Sequence, residues 1–173
     1  MPDSPDKTPV TIYTDGSCLS NPGGPGGWAA ILIHDKTGTR RELSGGMAAT
    51  TNNRMEITAV LEALKALKRP CLVTLYTDSQ YVGNSISKGW IKGWERMGWV
   101  DKKTHKPRLN ADLWKEMLVQ LARHAIKVQW IRGHQGQEEN ERCDELAKAC
   151  AMQEGLPLDP GYKAADYEDG TPA

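Results

Sequence analysis

This 173-residue sequence lacks several features, and each absence excludes a class of protein. No apolar run approaches the ~20 residues that a membrane-spanning helix needs, which excludes a helical membrane protein. The four cysteines form no CxxC pair and no zinc-ligand spacing, so they indicate reduced thiols in a cytoplasmic protein. The 22 basic residues balance the 22 acidic residues, so affinity for a polyanion has to come from a local patch.

The N-terminal segment MPDSPDKTP also lacks the basic start and the apolar centre of a secretion signal. The composition is typical of a soluble globular protein, with 39% hydrophobic and 25% charged residues. The length suffices for one domain and is too short for two ordinary ones. We therefore expect a flexible leader over residues 1–9, one domain over residues 10–152 and an acidic, flexible tail over residues 153–173.

The predicted elements follow in the order three strands, helix, strand, helices, strand, helix. The first three strands suit an antiparallel meander, and the later alternation of strand and helix suits parallel crossovers. The predicted strands cover residues 10–14, 28–34, 40–44, 72–77 and 128–131, and the predicted helices cover residues 52–69, 110–124 and 138–152, with helical stretches from residue 79 onward. The sequence thus predicts an α/β fold with a mixed five-stranded sheet, first antiparallel and then parallel, and helices on both faces.

A short echo in the sequence gives the first functional indication. TIYTDGS at residues 11–17 and TLYTDSQ at residues 74–80 are two apolar strands that end in Thr-Asp. Ligands of open α/β sheets bind beyond the carboxyl ends of strands, so neighbouring parallel strands would place Asp15 and Asp78 side by side. Two close carboxylates repel each other and usually share a proton or a cation. Alone, each aspartate could equally start a turn or cap a helix.

Two further carboxylates lie on predicted helices. Glu56 falls within the apolar arc that should pack on the sheet, where a glutamate is rarely buried without a partner, although capping of the helix would also explain it. Asp144 lies at the margin of the small-residue face of the last helix, where a solvated helix residue is the alternative. Four carboxylates with no cysteine or histidine in ligand spacing suit Mg²⁺ or Mn²⁺ better than Zn²⁺.

One histidine has a context that suits proton transfer. His134 lies in Arg-Gly-His-Gln-Gly, just past the last predicted strand. A neutral histidine can move protons near physiological pH. The alternative is an ordinary surface-loop histidine.

The local polyanion patch lies at residues 88–108, which contain seven basic and two acidic residues and three of the six tryptophans. Basic side chains hold phosphates and aromatic faces stack on bases or sugars, so this segment favours nucleic acid. An amphipathic helix anchored by its tryptophans is the alternative. Four amides near the carboxylates suit contacts to the 2′-hydroxyl that distinguishes RNA from DNA, although Asn52 could equally be an N-cap: Asn21, Asn52, Asn53 and Gln80.

Together these segments resemble bacterial type 1 ribonuclease H. The motifs that carry the resemblance are TDGSCLSNPGGPGGWAAIL, TTNNRMEITAVLEAL, YTDSQYV, GWIKGWERMGW and RGHQGQEENERCDELA, which occur in order from about residue 10 to residue 152. The resemblance implies a ribonuclease H-like fold and an endonuclease that cuts the RNA strand of RNA–DNA hybrids. It also implies two Mg²⁺ ions, which Mn²⁺ can replace, and products with 3′-hydroxyl and 5′-phosphate ends. The sequence itself shows no clear protein partner and no oligomer surface, so a monomer is the default expectation.

The resemblance also implies roles for individual residues. The metal-binding and catalytic carboxylates fall on Asp15, Glu56, Asp78 and Asp144, and the histidine of the catalytic loop falls on His134. The implied substrate contacts are Asn21, Asn52, Asn53 and Gln80 on the RNA strand, Thr51 and Asn110 at a DNA-strand phosphate, Trp90 on a deoxyribose, and a basic protrusion that includes Lys102, Lys103 and Lys106. Some members carry arginine where this chain has Ala49, which implies weaker binding of that phosphate.

Two other functions remain open from the sequence, because a fold alone does not determine function. One is a metal-dependent DNA nuclease, such as a resolvase, on the same fold. It would not need the four amides and should cut duplex DNA. The other is a hybrid-binding module without catalysis, which would be expected to lack one or more of the carboxylates.

Overall fold

The computed structural model describes residues 7–131 and 137–173. Its strands are β1 (Thr8–Cys18), β2 (Gly26–His34), β3 (Arg40–Met47), β4 (Cys71–Thr77) and β5 (Ala125–Trp130). Its α-helices are α1 (Asn52–Ala66), α2 (Gln80–Ser87), α3 (Trp90–Arg96), α4 (Ala111–Arg123) and α5 (Glu138–Ala151), and a short 3₁₀ turn spans Ala164–Tyr167. Among the described residues, no helix is long and apolar enough to cross a membrane.

The five strands form one sheet in the order β3-β2-β1-β4-β5. Strands β1, β2 and β3 pair antiparallel, whereas β4 pairs parallel with β1 and β5 pairs parallel with β4. The predicted mixed sheet is therefore confirmed. In the β1–β4 register Tyr13 lies opposite Tyr76, so the aspartates two residues further along each strand reach the same edge of the sheet.

Helices cover both faces of the sheet, as predicted, because each strand alternates its side chains between the two faces. Val10 and Ile12 of β1 belong to the larger core, which α1 and α4 cover. Ala29 and Ile31 of β2 pack on the opposite side against Cys143 and Ala147 of α5. The close approach of α5 needs small residues, since a Cβ on Gly27 would overlap the carbonyl oxygen of Ala147.

Helix α1, which carries one candidate carboxylate, begins where its sequence provides a cap. Thr51 has extended backbone angles, and its hydroxyl oxygen accepts a hydrogen bond from Arg54 N at 3.0 Å. The helix ends at Ala66, earlier than the predicted residue 69, because Leu67 is already extended ahead of Pro70. The fixed start of α1 places its first turn at the edge of the sheet where β1 and β4 end.

The two ends of the described chain are more ordered than the sequence suggested. Thr8 and Pro9, which we assigned to the leader, pair with Cys71 and Leu72 in the sheet, whereas residues 1–6 lie outside the described residues. Residues 153–173 pack against the domain instead of forming a free tail. Asp159 is buried and accepts hydrogen bonds from Arg54, whose side chain is 2% exposed. A buried guanidinium requires carboxylate partners, which explains why this acidic segment is held in place.

Candidate active site

Three carboxylates converge at the carboxyl end of β1 and β4. The group comprises Asp15 in β1, Glu56 in the first turns of α1 and Asp78 directly after β4, and one oxygen of each lies within 4.8 Å of the others. Glu56 comes this close because Gly16 has no side chain. A Cβ there would overlap the backbone of Met55 and Glu56. The structure therefore brings together three of the four carboxylates singled out in the sequence.

The three carboxylates cannot all remain charged without a counter-charge. Asp15 is 6% exposed, and burial together with the charges of Asp78 and Asp144 raises its pKa to about 7. Burial and the charges of Asp15 and Asp78 raise the pKa of Glu56 well above its ordinary value. Glu56 Oε2 is also buried and has no hydrogen-bond partner among residues 7–131 and 137–173. Such a group of oxygens holds either protons or a cation, and its donor set fits a hard divalent ion.

Asp144, the fourth predicted carboxylate, lines the same cavity from α5. This cavity has a volume of about 320 Å³ and also contains Asn52, Asn53, Ser17 and Ser79 in its lining. Asp144 Oδ2 forms an ion pair with Lys148 Nζ at 3.0 Å, one helical turn further along. Its charge still raises the pKa of Asp15, so Asp144 acts electrostatically on the cluster.

The predicted RNA-contacting amides divide between two places. Asn21 and Asn52 form a connected chain at the cavity edge, since Cys18 N donates to Asn52 Oδ1 at 2.7 Å and Asn52 N donates to Asn21 Oδ1 at 3.1 Å. Gln80 instead lines a neighbouring cavity of about 330 Å³, together with Asn84 and Trp130. The two cavities adjoin, because Trp130 Nε1 donates to Asp78 O at 3.3 Å.

Sequence reasoning missed Asn84 and Trp130 as residues of this neighbouring cavity. A signal existed for Trp130, which ends β5 at the same edge of the sheet as the aspartates and is 50% exposed. Asn84 lies one turn after Gln80 on α2. Because residues i and i+4 of a helix are neighbours on its surface, the choice of Gln80 also predicts Asn84 as a residue of this cavity.

Thr51 and Asn110, the predicted phosphate contacts, are both buried. Thr51 caps α1, as described above. Asn110 Oδ1 accepts from Arg54 Nη1 at 3.4 Å, and its Nδ2 donates to Tyr81 Oη at 3.3 Å. The two residues therefore share Arg54 as a neighbour, and their side chains are hydrogen-bonded within the protein.

The predicted basic protrusion is exposed. Trp90 begins α3, is 41% exposed and lies 6.5 Å from the Trp94 ring, while Lys88 Nζ lies 5.6 Å from the Trp90 ring centre. The lysines Lys102, Lys103 and Lys106 lie on the exposed segment after α3. His134, the predicted catalytic-loop histidine, lies outside the described residues, and its role stays a prediction.

The fold first defines the class of protein. The chain is similar to the crystal structure of LC9-RNase H1, a type 1 RNase H with the type 2 active-site motif, with a TM-score of 0.75 and 28% sequence identity. The match covers 94% of this chain and 92% of that one. The fold of this chain, with its sheet order and the carboxylates at one edge of the sheet, is therefore ribonuclease H-like.

The sequence comparisons then define the family. The family model for RNase H matches residues 7–152. The Ribonuclease H of Nitratidesulfovibrio vulgaris (strain DP4) is 59% identical over 157 residues, which cover 90% of this chain and 97% of the relative. The Ribonuclease H of Aeromonas hydrophila is 49% identical over 154 residues, which cover 89% and 97%. The chain belongs to the ribonuclease H family and is a hydrolase of the nuclease class.

Proposed function

We propose that Asp15, Glu56, Asp78 and Asp144 hold two Mg²⁺ ions for the reaction of this family, the hydrolysis of the RNA strand of RNA–DNA hybrids. The products would carry 3′-hydroxyl and 5′-phosphate ends. The observation that carries the proposal is the group of three carboxylates within 4.8 Å, with one buried oxygen that lacks a hydrogen-bond partner among the described residues. An all-oxygen donor set favours Mg²⁺, and Mn²⁺ can replace it.

Each carboxylate has a distinct position in this proposal. Asp15 is the central ligand, since Glu56, Asp78 and Asp144 all influence its pKa. Glu56 and Asp78 lie on one side of it, and Asp144 would exchange its ion pair with Lys148 for a metal contact. When bound, two Mg²⁺ ions neutralise the phosphodiester charge, acidify the attacking water and stabilise the departing oxygen. His134 is proposed to transfer a proton or to assist product release.

Selection of the RNA strand is proposed to depend on contacts to both strands. We infer that the amides of Asn52, Asn53 and Gln80 contact 2′-hydroxyl groups of the strand that is cut. The support for this is that Asn52 and Asn53 line the carboxylate cavity and Gln80 lines the adjoining one. Trp90 and the exposed lysines of residues 88–108 would hold the DNA strand through deoxyribose and phosphate contacts.

The experiment that tests this function is one incubation series with Mg²⁺ and end-labelled RNA–DNA hybrid, duplex RNA and duplex DNA. We expect cleavage of the RNA strand in the hybrid alone, with 5′-phosphate products, and no cleavage when EDTA is present. Cleavage of duplex DNA would instead support a DNA nuclease on this fold. Binding of the hybrid without cleavage under all metal conditions would support a non-catalytic module.

The role of the basic protrusion gives a separate prediction. Replacement of Lys102, Lys103 and Lys106 with alanine should weaken hybrid binding. It should also reduce the slope of log Kd against log salt concentration by about 1 for each lysine that contacts a phosphate. A matched control removes three exposed lysines elsewhere: Lys36, Lys68 and Lys127. Fluorescence anisotropy in EDTA measures both quantities, and an unchanged salt dependence in the first variant would contradict the assignment.

The monomeric state and the cytoplasmic location stay predictions. Size-exclusion chromatography with light scattering would test the first, and fractionation of cells that express the full chain would test the second.

A further inference from the structure

The acidic segment at the end of the sequence folds back over the domain and is anchored in its interior. Ala48 N donates to Pro157 O at 2.8 Å, and Asp159 accepts from both Thr50 Oγ1 and Arg54 Nε at 2.7 Å. The backbone of Gly161 packs directly against the ion pair of Arg54 and Asp159, because a Cβ at this position would overlap Arg54 Nη2. This anchor fixes where the following residues, 162–173, can lie. We call residues 162–173 the outer tail.

The first part of the outer tail covers Thr51. Tyr162 and Tyr167 stack with ring centres 5.8 Å apart and an angle of 11° between the rings. Tyr167 is 9% exposed, and burial raises the pKa of its hydroxyl group, while the side chain of Thr51 lies near enough to act in the opposite direction. Thr51 is one of the two residues assigned to the DNA-strand phosphate. The tail therefore closes the approach to Thr51 with an aromatic side chain.

The second part of the outer tail contacts the basic protrusion. Asp169 Oδ2 forms an ion pair with Lys106 Nζ at 3.2 Å, across 63 positions of the sequence. Thr171 N donates to Asp169 Oδ1 at 3.1 Å, and the Thr171 hydroxyl contacts the same oxygen. The carboxylate thus has a fixed orientation toward a lysine that is assigned to the DNA strand.

The last part of the outer tail reaches the residues assigned to the RNA strand. The main-chain oxygen of Ala173 accepts hydrogen bonds from Asn53 N at 3.1 Å and from Asn21 Nδ2 at 3.3 Å. Asn53 lines the carboxylate cavity. Three separate contacts of one short segment therefore all fall on residues that are proposed to bind the two strands of the hybrid.

We propose that the outer tail is an intramolecular competitor of the RNA–DNA hybrid, which occupies the substrate-binding surface of the free enzyme and must be displaced when the hybrid binds. The proposal rests on the proposed substrate contacts of the preceding section. A lysine that pairs with Asp169 is not available to a phosphate, and the donors of Asn21 and Asn53 that hold Ala173 are not available to a sugar. The acidic side chains of the outer tail, Asp166, Glu168 and Asp169, match the charge of the nucleic acid that they would replace.

The strengths of the contacts indicate which part of the segment moves. The Arg54–Asp159 pair is buried, with side chains 2% and 5% exposed, and breaking it would leave a charge in the interior. The Lys106–Asp169 pair is exposed, with side chains 67% and 56% exposed, and pairs of this kind are weak. The anchor therefore stays in place and the outer tail detaches. A competitor attached to the enzyme acts at a high effective concentration, so weak contacts suffice to reduce the apparent affinity for the hybrid.

The test uses the full chain with substitutions in the outer tail. Tyr167→Ala uncovers Thr51 without a change of charge, and Asp169→Asn releases Lys106. The matched control Glu154→Gln removes one exposed acidic charge on the other side of the anchor. Affinity for a labelled hybrid is measured in EDTA, and KM and kcat are measured with Mg²⁺. We expect the double variant Tyr167→Ala/Asp169→Asn to bind about 3- to 10-fold more tightly and to lower KM by the same factor at unchanged kcat. Glu154→Gln should match the wild type.

Hydrogen–deuterium exchange of the wild-type chain provides a second measurement that needs no variant. Hybrid binding in EDTA should increase exchange over residues 162–173 and leave the anchor at residues 157–161 protected. Unchanged affinity of the variants, or equal protection of the outer tail with and without hybrid, would overturn the proposal. A wild-type chain that neither binds nor cleaves the hybrid would instead overturn the proposed function, so the two failures are distinct.

Discussion

Replacement of Asp15 with asparagine is expected to lower hybrid cleavage by about 1000-fold or more while the protein stays folded. Asp15 lies at the centre of the carboxylate cluster, and asparagine keeps its shape but removes its charge. Loss of metal-dependent stabilisation amounts to several kcal/mol of activation free energy, and each ~1.4 kcal/mol corresponds to a factor of ten in rate. The measurement is single-turnover cleavage of a labelled hybrid at saturating Mg²⁺.

The control for this variant is Asp35→Asn. Asp35 is exposed just beyond the carboxyl end of β2, opposite the start of β1, and therefore at the far end of the sheet from the cluster. The Asp35→Asn variant should cleave the hybrid at the wild-type rate. If Asp15→Asn retained cleavage within tenfold of the wild type, the cluster could not be the catalytic centre.

The same substitution is expected to stabilise the metal-free protein, by an amount that increases with pH. The pKa of Asp15 is raised from 3.8 to about 7 by burial and by its neighbouring carboxylates. Between about pH 4 and pH 7 the folded protein therefore holds a proton that the unfolded chain has lost, so a rise in pH favours unfolding. The raised pKa of Glu56 acts in the same direction.

The difference in unfolding free energy between Asp15→Asn and the wild type removes the contributions of titrating groups outside the carboxylate cluster. In EDTA the difference should be near zero at pH 4 and reach about 2–4 kcal/mol above pH 7, since each pKa unit corresponds to about 1.4 kcal/mol. Urea denaturation across this pH range measures it. Addition of Mg²⁺ should reduce the difference, because bound cations stabilise the wild-type cluster. A difference that does not vary with pH would contradict the assigned electrostatics.

An inactive variant that is more stable than the wild type would separate function from folding. Most inactivating substitutions in a buried position also destabilise the fold. Here the buried position holds mutually repelling charges, so the two effects have opposite signs. This combination is expected of an active site in which mutually repelling charges are held together for function.

The arrangement of Asp15, Asp78 and Glu56 could be predicted because local patterns determine it. The apolar pattern before each aspartate predicts a strand that ends there, and the parallel pairing of β1 and β4, which the sequence alone left as a condition, is what the structure shows. The register then fixes both aspartates at one edge. Glu56 follows from helical spacing alone, because it shares the apolar arc that packs on the sheet.

The packing of residues 153–173 could not be predicted, because it depends on a partner 105 positions earlier in the sequence. An acidic segment with few apolar residues is typical of a solvated tail. Asp159 is held in the interior only because the buried guanidinium of Arg54 needs a carboxylate partner there. The ion pair of Asp144 with Lys148 is different. It joins positions i and i+4 of one helix, and helical spacing would have predicted it.

The most direct test of the carboxylate cluster as a metal site is calorimetric titration of the metal-free chain with Mg²⁺ near pH 7, in buffers of different ionisation enthalpy. We predict uptake of Mg²⁺ with release of protons. The raised pKa values of Asp15 and Glu56 mean that these carboxyl groups hold protons near pH 7, and the bound ion displaces those protons. Glu56→Gln should weaken this uptake, whereas Glu62→Gln, the same change further along α1 at a residue paired with Lys65, should not. Absence of Mg²⁺ uptake, or uptake that Glu56→Gln leaves unchanged, would contradict the account.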